Sequence, residues 1–231
     1  MNEFSEIRVV SFDCYGTLVD WEAGILSALR VVLAAHGAHP EAKRILEDYA
    51  EFEASAEEGD YRAYTEVLRA VVREFGAKYA FIPTEAELEA LSRSLPQWKP
   101  FEDTVDALRR LKRRYRLAVL SNVDDPLFVH TERQLEVPLD EVVTSSQVRS
   151  YKPSLAHFHE LLSRLGVAPG SILHVAQSLY HDIAPAHRCG MLTVWVHRVS
   201  DRERYGAARA AEAHSDLVVP DLSTLAARLE V

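Results

Sequence analysis

Apolar residues fall into two patterns along the chain. Six short runs are nearly continuous: RVVSF at 8–12, LAVLS at 117–121, VVTS at 142–145, ILHVA at 172–176, LTVWV at 192–196 and DLVVP at 216–220. Unbroken apolar runs of this length read as strands buried on both faces, the habit of a parallel sheet. Helical periodicity occupies 102–114, 125–135, 154–165 and 182–189, with a last helix at 221–230. Alternation of the two patterns predicts an α/β fold, a doubly wound, Rossmann-like parallel sheet. In such sheets ligands bind beyond the carboxyl ends of the strands, so the residues after each run are the candidates for chemistry.

One interval breaks the alternation. From about Trp21 to Lys99 only helical periodicity is found, in ILSALRVVLAA, AKRILEDYAEFEA, YTEVLRAVVREFG and EAELEALSRSL. A crossover between parallel strands needs little more than a dozen residues. The excess predicts a helical cap at 21–98 inserted into a core made of 1–20 and 99–231. Pro83 and Pro96 punctuate the cap, and Pro100 marks the return to the core.

Composition narrows the partners. The 231 residues are 48% hydrophobic and 26% charged, an ordinary globular balance. A net charge of −9 disfavours phosphodiester backbones and anionic lipid, so neither nucleic acid nor membrane is expected as a partner. The two cysteines, Cys14 and Cys189, make no disulfide framework. The start MNEFSEIR does not read as a signal peptide, and runs such as VVLAA at 31–35 are too short for a bilayer. These features predict a reducing, cytoplasmic setting. An apolar cap helix at 25–35 could serve a homodimer. Between Arg109 and Arg116 six of eight residues are basic, at a predicted helix C-terminus where cations complement the dipole, so a solvated face is expected.

The strand ends carry the chemistry. After the first run comes Asp13-Cys14-Tyr15-Gly16-Thr17-Leu18, with an aspartate at the strand end and a glycine for a tight path behind it. After the second come Ser121 and Asn122, small polar groups able to hold an anion. Beyond the third lies Tyr151-Lys152-Pro153, and after the fourth His174-Val175-Ala176-Gln177-Ser178-Leu179-Tyr180-His181-Asp182. Taken singly, each reads as turn or cap chemistry.

Together they resemble the haloacid dehalogenase superfamily, over essentially the whole chain. Phosphatases of that superfamily carry a second aspartate two positions after the nucleophile, where this chain has Tyr15. FDCYGTL instead looks like the 2-haloacid dehalogenase branch, and FDCYGTLVDW with SLYHD looks like the azetidine-2-carboxylate hydrolases related to it. The resemblance implies a hydrolase whose Asp13 displaces a leaving group at the 2-carbon of a small carboxylic acid through a covalent intermediate. Lys152 would keep Asp13 ionised. Thr17, Ser121 and Asn122 would orient carboxylate oxygens, assisted by backbone N–H groups at Cys14 and Tyr15, while Asp182 would hold Lys152 or a water. Gln177 and Ser178 would line the substrate pocket.

Two departures shape the expectation further. Dehalogenases of this branch grip the halide with an arginine early in the cap, where this chain reads Ile45-Leu46-Glu47-Asp48-Tyr49-Ala50-Glu51, with Arg44 merely nearby. Gln177 stands where many members carry an acid or serine, so with Tyr15 it removes two magnesium ligands, and no cofactor is expected. Magnesium belongs to the alternative, a phosphatase of the same superfamily; a catalytically silent binding protein is the other. From Glu41 to Asp60 the cap holds eight acidic residues against two basic ones. A solvated face explains most such runs. The sharper expectation is that Asp48 or Glu51 turns inward to meet a cationic group on the substrate.

Overall fold

The computed structural model describes residues 4–198, 207 and 211–231. Its centre is β1 (Val9–Asp13), every residue of which is buried. The other strands are β2 (Arg116–Ser121), β3 (Glu141–Thr144), β4 (Ile172–Ala176), β5 (Leu192–Val196) and β6 (Leu217–Val219). All neighbours pair in parallel, in the order β3-β2-β1-β4-β5-β6. Strand order runs one way from β1 to β3 and then restarts at β4 on the other flank. The switch point lies beside β1, so the carboxyl ends of β1, β2 and β4 converge on one crevice. The six strands fall on the six apolar runs.

Between β1 and β2 come α1 (Trp21–Ala35), α2 (Ala42–Ala56), α3 (Tyr64–Lys78), α4 (Glu85–Leu88) and α5 (Ala90–Ser94), followed by α6 (Thr104–Lys112). Asp20 caps α1 by accepting from the Ala23 amide, and Thr84 with Glu87 forms a capping box on α4. The helices bury continuous stripes, Ile25, Leu29, Val32 and Leu33 on α1 and Val67, Leu68, Val71 and Phe75 on α3, within one hydrophobic cluster that extends into the sheet, and α2 packs against both helices. Downstream lie α7 (Asp125–Leu135), α8 (Ser145–Val148), α9 (Ala156–Leu165), α10 (Ala184–Arg188) and α11 (Leu222–Arg228). The helix expected at 182–189 opens instead with a wider π-type turn over Leu179–Ile183, which places Asp182 inside that turn.

The basic run lies on α6 and the turn after it. Arg109 pairs with Glu136 and Lys112 with Asp140, while Arg110 and Arg114 donate to the carbonyls of Val231 and Leu229. It is a surface brace between helix, sheet and C-terminus. No helix among the described residues is long and apolar enough to cross a membrane.

Where the chain returns from the helices to the core, Trp98 is packed so tightly on α1 that a Cβ at Gly24 would lie 2.4 Å from its ring. The same indole meets the Tyr15 ring edge-on at 5.9 Å. Gly24→Ala must therefore displace Trp98 and disturb Tyr15 through it. We expect a stability loss of about 1–3 kcal/mol, the usual cost of overpacking, together with reduced turnover. Urea unfolding and steady-state kinetics on the variant check both; full activity with unchanged stability would contradict this packing.

Candidate active site

The candidate nucleophile is placed by the strand that carries it. β1 ends at Asp13, and the next residues wind tightly, the Cys14 carbonyl accepting from Leu18 and Val19 N–H and Gly16 adopting φ 93°. That turn brings Thr17 back under Asp13, where its hydroxyl donates to Asp13 Oδ2 at 2.7 Å. Thr17 Oγ1 in turn accepts from the Gln177 amide at 2.9 Å, locking the β1 loop to the β4 loop. Arg198 braces it from outside, donating to the Thr17 carbonyl while paired with Asp103.

Lys152 holds the centre. It is 1% exposed, and its ammonium donates to Asp13 Oδ1 at 2.8 Å, Asp182 Oδ1 at 2.6 Å and the Leu120 carbonyl at 2.9 Å. All three protons of the ammonium are therefore engaged. Burial works against its charge, but the two carboxylates more than compensate and raise the lysine above its ordinary value. For Asp182 burial is likewise outweighed, by Lys152 and by His174, and its pKa falls to about 2. Asp13 feels burial most strongly and is raised, with Asp182 adding to the effect and Lys152 and Thr17 opposing it. A further relay stands behind: Ser11 Oγ meets His174 Nδ1 at 2.9 Å, and His174 Nε2 meets Asp182 Oδ1 at 3.2 Å. Asp182 Oδ2 is buried without a partner among the described residues.

These groups open onto a cleft lined by Asp13, Tyr15, Asn122, Lys152, Gln177, Ser178 and Asp182 from the core loops. From the helical insert come Trp21, Glu53 and Tyr64. The segment between α2 and α3 is tied down over the crevice. Asp124, at the start of α7, accepts from Tyr61 Oη at 3.0 Å and from the Tyr64 amide at 2.6 Å, and Tyr151 Oη donates to the Arg62 carbonyl at 2.7 Å.

Several residues singled out in the sequence take other roles. Asn122 lines the cleft, but its side-chain oxygen accepts from the Lys152 amide at 2.8 Å and its nitrogen faces the Lys152 carbonyl and Glu57. It positions the lysine and does not present a free amide to an anion. Ser121 ends β2 with its hydroxyl accepting from Val123 N–H, outside the cleft lining. Cys14 is fully buried and also outside the lining, with burial pushing its thiol well up. Tyr15 turns its hydroxyl to Thr131 at 2.7 Å. Gln177 and Ser178 do line the cleft, and Ser178 caps the turn carrying Asp182 by accepting from the His181 amide. His157 is neutral: burial and the Lys152 charge lower it to about 3, so its Nε2–H donates to the Ser121 carbonyl.

The expectation for Asp48 and Glu51 is overturned. Asp48 is buried, yet it pairs with Lys78 at 2.5 Å and Arg44 at 3.0 Å and accepts from Tyr79 Oη, fastening α2 to the end of α3. Glu51 is exposed. The inward acid is Glu53, missed in the sequence although Ile45, Tyr49, Glu53 and Glu57 recur every fourth residue along one face of α2. An acid on the same stripe as buried Ile45 and Tyr49 was the available signal. Glu53 Oε1 accepts from Tyr49 Oη at 2.9 Å and from Tyr64 Oη at 2.5 Å. Burial, aided by the Asp13 charge and opposed by both tyrosines, pushes its pKa up to about 7.

Known proteins share this architecture. A family model for haloacid dehalogenase-like hydrolases matches residues 7–190. The (S)-2-haloacid dehalogenase 4A of Burkholderia cepacia is 25% identical over 213 residues, covering 86% of this chain and 87% of that protein. A glyceraldehyde 3-phosphate phosphatase of Methanothermobacter thermautotrophicus is 33% identical over 112 residues, 46% of this chain, and the match spans about half of that relative, 49% of its length. Among solved structures, L-2-haloacid dehalogenase from Xanthobacter autotrophicus aligns with a TM-score of 0.80 at 21% identity, covering 97% of this chain and 98% of that one, which speaks to the fold.

The Glu53 environment sets a pH signature. Its folded pKa lies above the ordinary 4.5, so its favourable contribution is full below about pH 4.5 and is lost as pH rises through about 7. Glu53→Gln abolishes this titration. Urea midpoints measured from pH 4.5 to 7.5 are expected to fall more steeply with rising pH in the parent than in the variant. Parallel profiles would show that Glu53 does not titrate in that window.

Proposed function

The chain belongs to the haloacid dehalogenase-like hydrolases, and we propose that it displaces a leaving group at the 2-carbon of a small carboxylic acid, with Asp13 as nucleophile and no metal. The observation that carries this reading is the Asp13–Lys152–Asp182 arrangement beside a Tyr15 whose hydroxyl is held by Thr131. An aspartate in the second position would supply the general acid of phosphoester cleavage, and Tyr15, raised well above its ordinary value by burial, is a poor substitute.

In the first step an Asp13 oxygen attacks the saturated carbon from the side opposite the leaving group, forming an alkyl ester. Lys152 and Thr17 each hold one carboxylate oxygen, fixing the plane of attack. In the second step water attacks the Asp13 acyl carbon, and Lys152 stabilises the developing oxyanion. Asp182 Oδ2, an acceptor with no partner among the described residues, suits a hydrogen bond from that water. The product is a 2-hydroxy acid. The haloacid dehalogenase of Burkholderia cepacia, similar along most of its length, supports this reading over the phosphatase.

The donor set does not fit magnesium. Asp13 Oδ1 and Asp182 Oδ1 converge on one ammonium, and no group of three or more His, Cys, Asp or Glu is arranged for a metal among the described residues. A hard dication seeks six or more oxygens and would compete with Lys152 for the same ones.

Two outcomes are expected. A single turnover of a 2-substituted acid in oxygen-18 water should place label in the Asp13 carboxylate, and Asp13→Asn should abolish turnover; label found in product alone would remove the covalent route. Turnover should also survive exhaustive EDTA treatment, whereas phosphate release from p-nitrophenyl phosphate that appears with added magnesium would favour the phosphatase alternative.

A further inference from the structure

A substrate that carries a carboxylate needs an anchor for it, and the side chains expected to supply one are already engaged. Asn122 is bound to the Lys152 backbone, the Ser121 hydroxyl lies outside the cleft lining, and the Tyr15 hydroxyl is turned to Thr131. Lys152 has all three ammonium protons in use. Asp13 and Asp182 share that one ammonium, so the core side of the cleft carries an unbalanced negative charge when both are ionised. An incoming anion is repelled there unless something neutralises it.

Facing this side is an acid that takes no part in the displacement. Glu53 is 5% exposed and forms part of the cleft wall. Tyr49 and Tyr64 both donate to its Oε1, and their hydroxyls lie 3.2 Å apart. Oε2 has no partner among the described residues. With Oε1 accepting twice, a proton carried by Glu53 resides on Oε2. A purely structural acid has both oxygens satisfied, as Asp48 does with Lys78 and Tyr79. The groups around Glu53 favour the protonated form. Asp13 from β1, Asp182 from the turn after β4 and Glu57 just beyond α2 are acidic, while Tyr15, Tyr49 and Tyr64 are neutral. Lys152 is committed to the two aspartates, and His181 lines the cleft beside Ser178. Gln177 can add a neutral N–H from the same wall, which carries no titration.

Resting on the reading that the substrate is a small carboxylate, we propose that Glu53 anchors that carboxylate as a neutral acid, its Oε2–H donating to a substrate oxygen, so that binding the anion takes up a proton. Negative charge and proton enter the cleft together. Ionised Glu53 would instead set a second unpaired carboxylate against the incoming one. The proton comes from solvent and returns there when the product leaves; Glu53 makes and breaks no bond of the substrate. An O–H donating to a carboxylate is a charge-assisted hydrogen bond, shorter and stronger than a neutral one. The two tyrosines occupy Oε1 and so leave Oε2 as the oxygen that donates. Burial pushes the free acid up to about 7, and the charge of a bound carboxylate raises it further.

The test is equilibrium binding of racemic lactate, the 2-hydroxy acid left by displacement on a 2-halopropionate, so no turnover is needed. Titration calorimetry in buffers of different ionisation enthalpy counts the protons exchanged. Uptake close to one proton per lactate is expected at pH 8 and little at pH 6, since free Glu53 is mostly ionised at the first and mostly protonated at the second. The apparent Kd should rise about tenfold per pH unit above about 7, as the competent fraction falls. Lactate itself stays ionised throughout. In Glu53→Gln the uptake should vanish and Kd should stay flat over this range, because the amide donates at every pH. Tyr64→Phe removes a hydrogen bond from the carboxylate form and should move the rise in Kd to higher pH, a second readout if the glutamine variant does not fold. Absence of lactate binding, a parent Kd that is flat or falls with pH, or uptake that survives in Glu53→Gln would each overturn the proposal. Proton uptake with bromide but not with lactate would also overturn it, by assigning the acid to the leaving group. Oxygen-18 labelling of Asp13 separates the two readings: label without proton-linked lactate binding defeats the anchor alone, and linked binding without label defeats the displacement.

Discussion

Everything in the site depends on one buried ammonium. Lys152 sits between two carboxylates with no solvent to share the charge, and removing either partner would leave an uncompensated ion in low dielectric. The surroundings are therefore organised to fix that one nitrogen. Asn122 grips the lysine backbone on both its N–H and its carbonyl side, the end of β2 offers the Leu120 carbonyl, and the His174–Ser11 relay orients Asp182. The sheet order makes this possible, since β1, β2 and β4 are adjacent and their ends present groups distant in sequence to a common point.

The strands were legible because burial on both faces leaves an unmistakable apolar run, and the insert because helical periodicity continues for far longer than a crossover needs. Asp13 drew attention because strand ends in such a sheet are where polar groups converge, whereas the roles of Thr17, Lys152 and Asp182 came from the family resemblance of the combined motifs. The roles of Asn122 and Ser121 were not legible, because a small polar residue serves a backbone contact and a ligand contact equally well on paper. The acidic stretch of α2 shows the limit most plainly. Asp48 and Glu53 are both buried acids, and which one faces the nucleophile depends on how α2 is rotated against α3, which Tyr64 and Lys78 settle from another helix.

The two acids on α2 illustrate how the same chemistry yields opposite results. Asp48 has cations on its side and serves as a rivet between helices. Glu53 has neutral hydroxyl donors and a carboxylate neighbour, and it is held near the point of proton exchange. Environment, not residue type, separates structural charge from chemical charge.

The short stretch from Asn122 to Asp124 has two duties at once. Asn122 steers Lys152, and Asp124 holds the start of α3 through the Tyr64 amide and Tyr61. An insertion there would misplace the lysine and unfasten the roof of the cleft in a single event, so both activity and enclosure would be lost together. The loop at 79–84, with Ile82 exposed to solvent and far along the chain from these contacts, carries no such double burden. A change of chain length is therefore expected to be tolerated at that outer rim and not between Asn122 and Asp124.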